Sequence, residues 1–366
     1  MATGQITNSL IVGLTAQMVQ ARVNTADASK FYFGTHFPVK RVNGFSWRML
    51  ENQLEGKNVA ADIHTDNGTI VRKRRPIFDV AQGDIPYIAV SREMTRKDLK
   101  DYQTALALAN DADASKLVEY WGGDVDFCFN AVQSEIEKIA FQTLSHAGVF
   151  KADGKNSASF EANMDYMVDD DKKVATASDW TQKSSDIIAD FVKLVKSAKD
   201  MNLSPKFAFV NLDTFYAIAS NESVIKACAS YLNNLANIPQ TPDLATVNVM
   251  LSRQAWLNGI QLRVIDQTIT TEFADGTQKS ENPFADNVLV LSESERLGTT
   301  QYDILSENNP AIIRAERAHC VIKKYGTFEP TAEITIGQAD ALPVLDSAYR
   351  NVYVKVDGNN DFSYSL

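Results

Sequence analysis

The residues able to do chemistry are few and scattered. Histidine occurs at His36, His64, His146 and His319, and cysteine at Cys128, Cys228 and Cys320. No HExxH, GxSxG, CxxC or GxxxxGK spacing is present. Those spacings would hold a zinc ion, an activated serine, a dithiol pair or a phosphate. His146, near the end of a long helical pattern, is suited to meeting that helix's last carbonyls. His319-Cys320 in a strand would point to opposite faces, which separates a base from a nucleophile. An odd number of distant cysteines argues against a disulfide framework or zinc site and suits a reducing compartment.

Two charged runs could hold ions. Asp169-Asp170-Asp171 could take a divalent cation. Contiguous carboxylates lack the glycine and spaced ligands of a calcium loop, so a solvated loop is expected. Arg72-Lys73-Arg74-Arg75 resembles a nuclear signal or a phosphate patch. On a strand these side chains alternate sides, which fits a solvated or neighbour-facing edge better. The expectation is no enzyme, no catalytic residue, no cofactor and no metal.

Composition sets wider bounds. The chain has 366 residues, a length that suits two or three structural units or one elaborated domain, and its 45% hydrophobic and 22% charged content are ordinary for a folded soluble protein. No run of 18 apolar residues could span a membrane, and the first residues make a poor secretory signal. The net charge is -10, unevenly spread. Residues 1–100 hold 14 basic and 9 acidic residues, and the remainder 22 and 37, giving +5 and -15. A cationic end on an anionic body can attract copies of itself, while an acidic body gives no nucleic-acid grip.

The elements that position these residues are organised around Leu117–Ala147. Val118, Trp121, Val125, Cys128, Val132, Ile136 and Ile139 recur every three or four residues and lay an apolar stripe along a helix. Phe129, Ala140 and Leu144 widen it. Gly122-Gly123 predicts a break, since glycine costs a helix interior roughly 1 kcal/mol, and Gly148 predicts the end. From Asp124 this spine would run about 24 residues, or roughly 36 Å.

Before it, residues 1–45 read as an arm, helical only over 10–23 (Leu10, Leu14, Met18, Val19). Phe31, Tyr32, Phe33 and Phe37 are costly to leave in water, and a neighbouring copy is the expected cover. Residues 46–95 read as a protruding two-stranded flap turning at Asp66-Asn67-Gly68. Thr95 with Asp98 predicts a capping box for a helix to Asn110.

After the spine come a polar stretch, 148–182, and an α/β unit, 183–310. That unit contains a helix over 186–195, strands at 206–210, 260–265 and 287–291, a helix from Asn211, and a hairpin at Asp275-Gly276. Residues 311–366 return as strands, with turns expected at Gly326, Gly337 and Pro343, and a closing strand over 351–356.

This order resembles the major capsid proteins of tailed bacteriophages, the Hong-Kong-97-like fold, and within them the phage lambda major capsid protein family. Three stretches carry the resemblance: Arg75-Pro76-Ile77-Phe78 through Ile85-Pro86 to Arg96; Asp286–Leu291 with Leu297-Gly298; and Ala341–Leu345 with Val352, Val354 and Val356. The resemblance implies an α+β fold: N-terminal arm (1–45), extended β-hairpin loop (46–95), peripheral domain with the spine helix (96–182), axial domain (183–310) and returning peripheral strands (311–366).

It also implies hexamers and pentamers of the chain closing an icosahedral head around double-stranded DNA. The DNA would be contacted non-specifically, and scaffold, portal and decoration proteins are further candidate partners. The place implied is the virion, after assembly in the host cytoplasm. Some relatives crosslink a flap lysine to a neighbour's asparagine. Lys57 and Lys73 lie in the flap, but no partner is identifiable and that chemistry is not expected here. Candidate subunit-interface residues are Phe31, Tyr32, Phe33, Phe37, Trp47, Asn67, Gly68, Arg72, Lys73, Arg74 and Arg75. The alternatives are an encapsulin-like compartment or an α/β enzyme with an unrecognised site.

Overall fold

A computed structural model describes residues 6–52, 78–108, 114–151, 163–231, 241–257, 259–273, 275–307 and 309–362. The Asn67-Gly68 turn, the basic run 72–75, Lys57 and His64 lie outside these. The chain begins β1 (Ile6–Thr7), α1 (Ala16–Thr25), α2 (Phe33–His36), β2 (Val39–Arg41), β3 (Ser46–Asn52), β4 (Phe78–Asp84) and β5 (Tyr87–Met94). It continues α3 (Arg96–Leu108), α4 (Ala114–Ser145), β6 (Val149–Lys151), β7 (Asn163–Asp165), β8 (Lys173–Ala175), α5 (Ile187–Asp200) and β9 (Phe207–Asn211). Then come α6 (Leu212–Ala219), α7 (Glu222–Tyr231), α8 (Leu244–Arg253), β10 (Gln261–Ile265), β11 (Ile269–Glu272) and β12 (Gln278–Glu281). It closes with β13 (Val288–Ser292), β14 (Thr299–Asp303), β15 (Ile313–Arg317), β16 (Cys320–Phe328), β17 (Thr331–Val344) and β18 (Val352–Lys355).

Two compact units result. The first holds Met1–Trp47, Gly83–Ala140 and Thr299–Val344; the second holds Arg48–Gln82, Phe141–Gly298 and Leu345–Leu366. These units cut across the expected 96–182 and 311–366 segments.

The first unit is a seven-stranded sheet built on the β16–β17 hairpin. β16 pairs antiparallel with β17 from Val321↔Gln338 to Phe328↔Thr331. β15 and β1 flank β16, while β5 runs along β17 from Tyr87↔Asp340 to Met94↔Glu333. β14 pairs with the far end of β17, and β2 adds to β14 in parallel. The turns expected at Gly326, Gly337 and Pro343 are absent. All three sit inside strands, and the reversal falls at Glu329-Pro330. A strand glycine also marks a close backbone approach, and that is what both glycines provide. A Cβ on Gly337 would stand 2.6 Å from the carbonyl oxygen of Cys128 in α4.

α4 follows the apolar stripe. Trp121, Val125, Cys128, Phe129, Val132, Ile136, Ile139 and Ala140 are all buried. The helix does not break at Gly122-Gly123. Arg22 of α1 lies over Gly122, its Nε 3.4 Å from where a Cβ would be. It also bonds Asp126 one turn on, Nε to Oδ1 at 2.9 Å. Tertiary packing therefore offsets the propensity cost, as it does for most protein helices. Gly123 is exposed with open space at its Cβ position. Gly123→Ala should raise stability by about 0.5–1 kcal/mol in urea unfolding; a loss would mean that this turn is not helical. α3 opens on the expected box, with Thr95 N donating to Asp98 Oδ2 at 2.8 Å.

The second unit is built on the five-stranded sheet β10-β9-β13-β18-β8. β13 is buried at every position, as its unbroken apolar run requires. Ile187, Phe191, Leu194 and Val195 of α5, Val224 of α7 and Met250 of α8 join Leu289 and Leu291 in one core. β11 and β12 form the hairpin expected at Asp275-Gly276, with Gly276 at φ +81°. The closing strand, expected among the returning strands, instead lies between β13 and β8 in this sheet. At the start of the unit the spine helix ends where expected: Gly148, at φ +83°, donates its N–H to Thr143 O at 2.9 Å.

Candidate assembly site: the N-terminal arm and its seat

Of the segment expected as an arm, 1–45, residues 6–41 are fastened to their own unit at six places. β1 pairs with β16 at Thr7↔Gly326. A Cβ on Gly326 would stand 2.7 Å from Leu10 Cγ and 2.8 Å from Asn8 O, so glycine admits the crossing chain. Fully buried Glu333 then accepts Ser9 Oγ at 2.6 Å and Leu10 N at 2.8 Å. Gln20 of α1 exchanges two bonds with the backbone of Glu316, at 2.8 and 2.9 Å. Its amide thus pairs with β15 as a strand residue would. Arg22 holds Asp126, and Arg317 donates to Val23 O at 3.1 Å and Ala26 O at 2.6 Å. Glu137 of α4 accepts Tyr32 N at 2.9 Å and Phe33 N at 2.7 Å.

The aromatic residues of the arm are therefore not awaiting a neighbour, contrary to the sequence expectation. Phe31, Phe33 and Phe37 are buried, and Tyr32 is half-buried. Phe33 lies edge-on to His319, centroids 6.0 Å apart. Thr300 Oγ1 donates to Phe37 O at 2.9 Å, leading the chain into β2. The physical reason is effective concentration: apolar cover on the same chain is always within reach, whereas a second copy must first be found. Trp47 is buried too, and a Cβ on Gly83 would meet its Nε1 at 2.7 Å. Asn67, Gly68, Arg72, Lys73, Arg74 and Arg75 lie outside the described residues.

Glu137 and Glu333 are the residues that sequence reasoning missed. By its spacing Glu137 falls with Glu135 among the acidic residues mostly off the apolar stripe, yet it is fully buried. A buried carboxylate needs donors, and the spacing alone does not show that this one is buried. Glu333 carried little signal either, being one of two acidic residues, with Asp340, in an otherwise uncharged strand.

Among the described residues no three or more His, Cys, Asp or Glu side chains gather where they could hold a metal ion. His146 Nδ1 lies 2.9 Å from Gln142 O, the expected contact with a late carbonyl. His319 stands in the turn before β16 rather than in a strand, with Nε2 3.0 Å from Gln133 Oε1. Asp169 and Asp170 pair with Lys172 and Lys173 at 3.6 and 3.3 Å. Burial raises Cys128 and Cys228 to about 11 and Cys320 to about 12. A thiol is reactive only as thiolate, so none of the three should be labelled by a thiol reagent in the native chain at pH 8. All three should react in denaturant, and rapid native labelling would contradict the burial.

Large apolar side chains remain uncovered elsewhere. In the first unit these include Tyr87, Leu106, Leu108, Tyr120 and Phe127. α3 buries only Leu99 and Tyr102 and leaves the rest of its length to solvent. Tyr120 packs edge-on to Tyr102 at 5.8 Å, and Arg92 lies 4.3 Å over Phe127. In the second unit Tyr216 and Trp256 are exposed. No helix among the described residues is long and apolar enough to cross a membrane.

This α+β architecture of long hairpin sheet, spine helix, mixed second sheet and N-terminal arm is the Hong-Kong-97-like phage capsid fold. The likeness is seen in solved structures. One, assigned as the capsid protein of a prophage in E. coli CFT073, aligns with TM-score 0.56 at 13% identity, covering 94% of this chain and 99% of that one. A phage-related protein from Bordetella bronchiseptica RB50 aligns with TM-score 0.53 at 13% identity, covering 97% and 99%. No protein-family model matches the chain, and no curated protein matches it.

Proposed function

We propose that the protein is the major shell subunit of a tailed-phage head, a structural protein rather than an enzyme. Copies join as hexamers and pentamers and close an icosahedral container around double-stranded DNA, within the virion. The observation that carries this reading is the nearly full-length fold match to a prophage capsid protein. The uncovered apolar residues on α3, α4 and β5 support it, because exposed apolar surface on a soluble chain marks contact with other molecules. The second unit is proposed as the axial domain, and the first, with the arm and the spine, as the peripheral domain.

Negative-stain microscopy and light scattering of the purified chain, alone and with a scaffold protein, test the reading. Rings or closed shells are expected; a strict monomer at high concentration under both conditions would overturn it. Nucleic acid inside the particle distinguishes a phage head from an encapsulin-like compartment, which would hold protein cargo. We further propose that Arg72, Lys73, Arg74 and Arg75 meet acidic surface on another copy. Replacing all four with serine should impair assembly while leaving the subunit's unfolding curve in place. Assembly of the natural chain should weaken with salt, as exposed charge pairs do, and assembly that is indifferent to both changes would remove this contact.

A further inference from the structure

The seat of the arm contains a carboxylate buried without a counter-charge. Glu137 is 0% exposed, and its oxygens receive the successive amides of Tyr32 and Phe33 at 2.9 and 2.7 Å. Among the described residues no cation pairs with it. The charged or titratable groups beside it in sequence or packed on the seated segment are Lys30, Tyr32 and His36 of the arm, Glu135 and Lys138 of α4, His319, which packs on Phe33, Tyr302, which packs on His319, and Arg317, which bonds the arm's backbone. None of them enters the balance at Glu137, which is burial against the two amides. Burial opposes the charge, the amides favour it, and burial prevails, carrying the carboxyl from 4.5 to about 7.

We propose that Glu137 is a proton-operated clip for the N-terminal arm: protonated, it lets residues 31–37 sit firmly on α4, and ionised, it loosens them. The sign follows from linkage. With the arm unseated, Glu137 meets water and behaves as an ordinary carboxylate. The seated form therefore holds the proton more tightly, so protons favour seating. The preference is full below the ordinary value and is lost as pH rises toward 7. A protonated carboxyl still offers its carbonyl oxygen to one amide, so the seat keeps its geometry in acid. His319, packed on Phe33, works in the opposite sense. Burial lowers it to about 4, so its contribution is present above its ordinary value and fades in acid. Near neutrality the clip lies close to half-titration, where a small change of pH or of neighbours shifts the arm. The clip belongs to the single chain and does not rest on the shell reading.

The test is amide hydrogen exchange of the segment 31–37 in the intact, unassembled chain, corrected for intrinsic exchange, from pH 5 to pH 8. The comparison is with Glu137→Gln, which keeps an oxygen acceptor and cannot ionise. Taking the ratio of the two chains removes the part due to His319. The ratio of natural to variant opening should rise roughly 70-fold over this range; a ratio independent of pH overturns the proposal. If Glu137→Gln does not fold, the carboxyl-carbon resonance of Glu137 in the isotope-labelled natural chain gives the answer directly. A titration midpoint near 7 supports the clip, and one below 5 overturns it.

Discussion

Phe37→Ala should destabilise the unassembled chain by about 3–5 kcal/mol, the usual cost of emptying a fully buried phenylalanine site. Phe37 is 0% exposed. It also stands where the arm passes into β2, its carbonyl accepting Thr300 Oγ1 and its N–H bonded to Phe33 O at 2.6 Å. Neither neighbouring element can move in to fill the space without giving up those bonds. Urea unfolding of subunits kept apart from assembly measures the effect. The result separates two physical pictures of the arm. If the ring is covered by its own body, the isolated chain loses stability. If another copy covers it, the isolated chain unfolds as before and only assembly suffers. The structure places the ring in its own core, so an unchanged midpoint would contradict the fold described here.

Gly337→Ala should cost about 3 kcal/mol, at the upper end of the usual cost of overpacking a core. The added methyl would stand 2.6 Å from the Cys128 carbonyl oxygen and 2.9 Å from the Cys128 carbonyl carbon and Cβ. These are backbone or near-backbone atoms in the middle of α4, so no side-chain rotation relieves the clash. Either the helix lifts from the sheet or β17 bends away, and both expose core. The effect should appear as a lower unfolding midpoint of the isolated chain, or as loss of soluble protein. Gly123→Ala is the internal control, because it places the same methyl group in open space on the same helix. Equal outcomes for the two substitutions would mean that helix and sheet are not in contact at Gly337.

Most of the architecture was legible in the residues. Periodicity of three and four found α4, the unbroken apolar run Val288–Leu291 found β13, and Thr95 with Asp98 found the start of α3. These signals are local: they depend on side-chain spacing and on the capping of near neighbours. The errors share a different cause. Gly122 reads as a helix breaker until Arg22, a hundred residues earlier, is seen across it. Gly326 and Gly337 read as turns until the arm and α4 are seen crossing them. In each case the glycine exists for a segment distant in sequence.

The order of elements and the α+β character were thus set by the chain's own pattern, because spacing, charge and turn residues act over a few positions. Only the tertiary structure decided where the arm lies, that Glu137 and Glu333 receive it, and that β18 joins the second sheet. A buried carboxylate looks like a surface one in sequence. Its burial and its donors are fixed by segments a hundred or more positions away, and no local rule reaches that far.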